Sequence, residues 1–203
     1  MKTIIKSFFT LLILFAFSCS QETMLDPLPT ALDGVSAKAN LPSDVFDASD
    51  GTTVMGSATI HRSNNGVTIN VKTSGLIPGN AYTMWIVAFN SPELCEDGCD
   101  GPDLGVANGD VMYGAGHVVG GNGKGNFSAH LSEGDVSGSL FPQPSPGLID
   151  GQTTEVHIVV RDHGPKIPGM VSEQIHSING GCNPGDPNEG LCNDVQFAIF
   201  LAD

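Results

Sequence analysis

Residues 154–178, TEVHIVVRDHGPKIPGMVSEQIHSI, decide the fold class. Val156, Ile158 and Val160 fall on one face of an extended chain, and His157, Val159 and Arg161 on the other. β-branched residues favour that pleated, packed setting, so 155–161 is expected to be a buried strand. Gly164, Pro165 and Pro168 then argue for a stop at Asp162 and a loop beyond it. Three of the six histidines lie here, His157, His163 and His176. A strand-to-loop junction is a common place for a site, and it is also simply how strands end.

Working outward, the same period of two recurs. Residues 53–62 alternate weakly through Val54, Ala58 and Ile60. Ser63-Asn64-Asn65-Gly66 is a hairpin signal, because Asn and Gly accept positive φ, and 67–73 answers with Val67, Ile69 and Val71 on one face. Residues 80–89, NAYTMWIVAF, are apolar on both faces and read as a central strand carrying the sole tryptophan, Trp85. Residues 111–119 and 125–131 flank Gly120-Gly121-Asn122-Gly123-Lys124, a second hairpin signal, and 194–201 closes the series. Seven strands, no helical period, 26 glycines and 13 prolines predict an all-β fold: an antiparallel β-sandwich, Ig-like in the broad sense, with long disulfide-stapled loops.

The N-terminus is of another kind. Lys2 and Lys6 precede an apolar run, 8–17, of roughly ten residues, which suits a signal peptide and is too short to span a bilayer. Ala16-Phe17-Ser18-Cys19 resembles a bacterial lipoprotein signal. The resemblance implies removal of 1–18, a lipid on Cys19, and attachment to a membrane of the bacterial cell envelope, at the outer membrane or the cell surface. A soluble secreted protein cut nearby is the alternative. Pro27, Pro29 and Pro42, with no sustained apolar period, mark 19–45 as a flexible tether. Residues 46–203 form a single domain, long enough to bury roughly 70% of its unfolded surface.

Cysteine usage fits export. With Cys19 set aside, Cys95, Cys99, Cys182 and Cys192 remain, an even number that reads as two disulfides. Of three formal pairings the local one, Cys95–Cys99 and Cys182–Cys192, is the simplest, each pair bracketing a Gly/Asp/Pro loop. A four-cysteine zinc site is the rival, although the spacings are not those of a zinc ribbon. The net charge of −14, or −16 once Lys2 and Lys6 are removed, excludes nucleic acid as a natural partner and favours cations. Acidic charge is equally a route to solubility.

Two resemblances extend this reading. Gly75-Leu76-Ile77-Pro78-Gly79-Asn80-Ala81-Tyr82-Thr83-Met84-Trp85-Ile86 looks like the G-L-x-P-G turn and following strand of Cu/Zn superoxide dismutases. That family carries copper-ligand histidines at alternate positions of the strand; here those positions hold Met84 and Ile86, so the resemblance implies a fold and no dismutase activity. Residues 80–201 resemble an uncharacterised family of exported bacterial proteins. The resemblance rests on Gly116-His117-Val118-Val119-Gly120-Gly121-Asn122-Gly123, the Val156–Arg161 strand with His163-Gly164-Pro165, Gln174-Ile175, Gly180-Gly181-Cys182 and Val195-Gln196-Phe197-Ala198. It implies a domain and supplies no activity.

Three kinds of chemistry compete. His117 and His130 on the arms of the second hairpin, with His157 and His163, would make a copper or zinc site if they converge; each is otherwise a half-buried or surface residue with a local hydrogen bond. Asp97, Asp100, Asp103 and Asp110 lie in a Gly-rich loop of hard oxygen donors that suits calcium, against the plainer reading of solvated charge. A hydrolase would draw on Ser172 or Ser177, with no G-x-S-x-G to support it. The expected function is a membrane-anchored binding or structural module. A metal-binding or redox protein and a hydrolase are the alternatives.

Overall fold

Side-chain alternation is realised as one antiparallel sheet. The computed structural model describes residues 40–202, which run through β1 (Asn40–Asp47), β2 (Val54–Ser63), β3 (Gly66–Thr73), β4 (Asn80–Phe89), β5 (Gly109–Val118), β6 (Gly125–Ser132), β7 (Glu155–Pro165) and β8 (Asn193–Phe200). The strand order is β5-β4-β7-β8-β1-β2-β3-β6. Among the described residues helix is confined to 3-10 turns at Pro92–Leu94 and Gly101–Leu104 and to α1 (Val171–Gln174).

The sheet doubles over to bury its apolar face. Ile60, Ile69 and Val71 from one half meet Met84, Ile86, Ile158 and Ala198 from the other in a common core. Burying each such side chain contributes about 1.5–3 kcal/mol against the entropy of ordering the chain. The edge strands β5 and β6 come together, with the rings of His117 and Phe127 4.5 Å apart. Among the described residues β5 pairs with β4 and β6 with β3, so side chains close the β5–β6 seam. The described residues form a β-sandwich, with disulfides Cys95–Cys99 and Cys182–Cys192 paired locally.

Four local expectations need correction. First, β1 starts at Asn40, inside the stretch expected to be tether. Its register with β8 is limited to Phe46 and Asp47, so Pro42 sits where the strand pairs only with β2 and its missing N–H is tolerated. Second, β7 does not stop at Asp162. Gly164, at φ +73°, forms a bulge that carries the register from Tyr82↔Asp162 to Asn80↔Pro165. Third, 120–124 is no hairpin turn. It crosses between the halves beside the turn joining β3 to β4, with Leu76 N–H donating to Gly123 O at 3.1 Å and Gly79 N–H to Val119 O at 2.9 Å. Fourth, the β2–β3 hairpin places its positive φ on Gly66 and not on either asparagine. The signal, Cys19 and the rest of the tether lie outside the described residues.

Candidate functional site

The two halves of the sandwich present different outer faces. On β3 and β6 the outward residues include Thr68, Asn70, Lys72, Ser128 and His130, all polar, with Thr68 half-buried and the others exposed. On β4 they are Ala81, Thr83, Trp85, Val87 and Phe89, and all but Val87 are buried. Two stapled loops do the covering. The 90–108 loop packs Cys99 and Ala107 on Phe89, backed by Cys95 and Leu104. The 170–180 segment lies across the other end, where Tyr113 Oη donates to Ile175 O at 2.9 Å and Arg161 Nε to Ile178 O at 2.8 Å. Tyr113 also stands edge-on to Trp85, ring centroids 5.7 Å apart.

Between the loops runs a groove of about 330 Å³. Trp85, Val87, Val111 and Val159 line its floor, Leu104 and Ile178 its walls, and His157 and Asp194 complete it. Its volume falls in the range of small-molecule sites. Polar groups are fixed around it: His157 Nε2 lies 2.7 Å from Glu155 Oε1 and Arg161 Nη1 2.6 Å from Asp194 Oδ1. The second pair is partly exposed, so it orients groups more than it stabilises the fold.

The bulged end of β7 carries two buried networks. Asp162, 7% exposed, accepts from Asn80 Nδ2 at 3.0 and 3.1 Å, from Tyr82 Oη at 2.9 Å and from Gly164 N–H at 2.7 Å. Burial, and then the Asp162 charge, push the Tyr82 phenol well above its ordinary range. Tyr82 and Asp162 border a separate cleft of about 390 Å³ at this end.

On the opposite face His163 is fully buried. Its Nε2 lies 2.8 Å from Thr83 Oγ1, which also accepts from Trp85 Nε1 at 2.8 Å, and its Nδ1 lies 3.1 Å from Gly180 O. Partners fix the tautomer here: a carbonyl at Nδ1 requires the proton there, leaving Nε2 to accept from the Thr83 hydroxyl. Burial holds the ring's pKa below the ordinary imidazole value. Asn188 Nδ2 bonds His163 O at 2.8 Å and Pro165 O at 2.7 Å, and Gln174 Oε1 accepts from Ile167 N–H at 2.7 Å. These two buried amides pin the 166–192 loop to β7.

The four candidate metal-ligand histidines are not brought together. His117 sits at the β5–β6 seam opposite Tyr82. His130 is exposed on the polar face and bonds Thr68 Oγ1 at 2.9 Å. His157 faces the groove, 4.9 Å from the Phe89 ring between centroids, and His163 is enclosed behind Thr83. The expected convergence of His117 and His130 depended on a β5–β6 hairpin, and those strands occupy opposite ends of the strand order.

Of the candidate calcium-loop aspartates, Asp97, Asp100 and Asp103 border one depression of the 90–108 loop, with Asp97 and Asp100 exposed and Asp100 and Asp103 capping a 3-10 turn, while Asp110 is buried apart from them, accepting from Ser139 Oγ and Gly147 N–H. Among the described residues one group of three His, Cys, Asp or Glu side chains has its ligand atoms within 4.8 Å of one another: His163, Cys182 and Cys192. Met84 and Ile86, at the positions matched to the dismutase copper ligands, point into the core. Neither position supplies the imidazole that the dismutase resemblance assigns to it.

No family model matches the chain, and no curated protein matches it. Among solved structures it is similar to a double mutant of a SOD-like protein from Bacillus subtilis, at 16% identity and a TM-score of 0.39, covering 79% of this chain and 97% of that one. It is similar to a single mutant of the same protein at 15% identity and a TM-score of 0.37, covering 80% and 97%. Superpositions this loose leave the site to be argued from the chain itself.

Sequence reasoning missed the groove and the amide pins. The signal for the groove was present: a strand apolar on both faces must be covered on both, and the two long stapled loops are what can cover it. Asn188 gave no signal, since a polar residue in a Gly/Pro/Asn loop looks like any turn residue.

Proposed function

We propose that the protein is a lipid-anchored binding module of the bacterial cell envelope, and that its binding surface is the groove on the outer face of β5, β4 and β7. The observation that carries this reading is the groove itself. Its apolar floor holds the sole tryptophan, it is bounded by two loops each closed by a disulfide, and polar groups are fixed at one side. The fitting ligand has an apolar group for the Trp85–Val87–Val159 floor and a hydrogen-bonding or cationic group for His157 and Asp194. The acidic charge of the chain disfavours an anion. Cys19 carries the lipid, and the preceding residues are its signal.

Trp85 provides the readout, being the only tryptophan. A neutral apolar dye should change Trp85 emission saturably. Val159→Glu should weaken its binding tenfold or more, while Thr68→Glu on the polar face should leave it unchanged. Equal binding by all three proteins would contradict the assignment.

A further inference from the structure

We propose that His163, Cys182 and Cys192 form a redox-gated site for a thiophilic metal ion of the zinc class, closed while the two cysteines are joined and opened by reduction of their disulfide. Three observations meet here. The ligand atoms of these residues all lie within 4.8 Å of one another, and His163 Nδ1 is 3.3 Å from Cys192 Sγ. The imidazole is wholly buried while both cysteines are half-buried, so the ring is held from inside and the disulfide lies nearer the surface than the ring does. The segment bearing the sulfurs is also held by bonds that do not involve them. Asn188 bonds His163 O and Pro165 O through its side chain, and its N–H donates to Gly181 O at 3.1 Å. Cys182 N–H donates to Asn179 O at 2.9 Å and Leu191 N–H to Asn188 O at 2.9 Å. Reduction therefore leaves the two sulfurs beside the ring.

In the disulfide neither sulfur is a thiolate, and the trio is a poor ligand set. A dithiol reductant attacks one sulfur, passes through a mixed disulfide and leaves as its own cyclic disulfide, having given two electrons and two protons to form two thiols. A divalent zinc-class ion then displaces both thiol protons to solvent and takes two thiolates and one imidazole nitrogen. With zinc–sulfur bonds of about 2.3 Å and zinc–nitrogen bonds of about 2.0–2.1 Å, the sulfurs need to stand about 3.7 Å apart and about 3.5 Å from the ring nitrogen. The Nδ1–Cys192 distance already satisfies this, and side-chain rotation of Cys182 supplies the rest.

His163 binds through Nδ1, so its proton moves to Nε2 and Nε2–H donates to Thr83 Oγ1, which also accepts from Trp85. That hydroxyl and indole orient the ligand, as a hydrogen-bonded outer shell does at metal histidines. Three protein ligands leave the fourth tetrahedral position open. The Cys95–Cys99 pair has no imidazole beside it and offers no such set among the described residues.

The test uses the full chain with Cys19→Ser, Cys95→Ala and Cys99→Ala, so that only the two site cysteines can supply thiols. The protein is reduced with a phosphine and desalted without oxygen, then titrated with Co2+ as a spectroscopic probe and with Zn2+ as competitor. The expected result is one tetrahedral, thiolate-ligated cobalt per chain, displaced by zinc, and no such spectrum from the oxidised protein. His163→Gln should weaken cobalt binding at least tenfold. A second reading does not depend on how that variant folds: in 15N spectra of the parent chain, zinc should shift His163 Nδ1 strongly and leave Nε2 protonated. A reduced protein without a thiolate–cobalt band overturns the proposal. So does a Cys182→Ser variant that binds as well, a His163 signal indifferent to zinc, or loss of the β-sheet signal on reduction.

Discussion

Asp162 shows how a carboxylate can be buried without a cation. Its two oxygens collect four hydrogen bonds from Asn80, Tyr82 and Gly164. Asp162→Ala would orphan all of these donors at once, and at about 1–3 kcal/mol for each buried group left unmade the loss should be about 3 kcal/mol or more by urea unfolding. A loss under about 1 kcal/mol would mean that water replaces the carboxylate. His117 gives the expected pH dependence. Burial lowers its pKa, so the unfolded chain takes up the proton first as pH falls; the stability is present above about pH 6.5 and lost below it. His117→Leu should therefore show a smaller fall in urea midpoint between pH 7.5 and 5.5 than the parent, and an unchanged fall would refute the assignment. Little of this was legible in the sequence. Asp162 and His163 are chain neighbours on opposite faces of one strand, and which partners each meets depends on strands 80 residues away.

At the scale of elements, docking of the 170–180 segment depends on a missing side chain. A Cβ on Gly116 would stand 2.1 Å from Ile175 O, so Gly116→Ala should push the segment off β5 and raise its amide exchange, with the core strands unaffected. Exchange as slow as in the parent would show that the sheet gives way instead. Closing the Cys182–Cys192 loop is worth about 3 kcal/mol in the chain-entropy model, so Cys192→Ser should lower stability by roughly that amount on thermal unfolding. Strands were the legible part. Alternation located seven of the eight, because burial of one face forces a period of two on each. Pro42 hid β1, since a proline reads as a break unless the flank of its strand is known to be unpaired. Gly164 and Pro165 hid the end of β7, because a bulge and a stop look alike locally. The Gly120–Lys124 turn misled for a different reason: turn chemistry says that the chain reverses, and not which sheet edge each arm joins.

At the largest scale, the described residues form a doubled sheet with one polar outer face and one face covered by stapled loops, in a strongly acidic chain. Anchoring belongs to this scale. If Cys19 carries the lipid, Cys19→Ser should move the protein from the membrane fraction to the soluble one. A variant that stays in the membrane and still loses its first 18 residues would remove the lipid reading. The binding surface is tested most directly by mapping amide and indole shifts in the 15N-labelled protein at saturating neutral apolar ligand. The predicted result is a cluster of shifts at Val87, Val111, Val159, Ile178 and the Trp85 indole. Shifts centred on the Tyr82–Asp162 cleft or on the polar face at Thr68 and Asn70, with the groove silent, would contradict it.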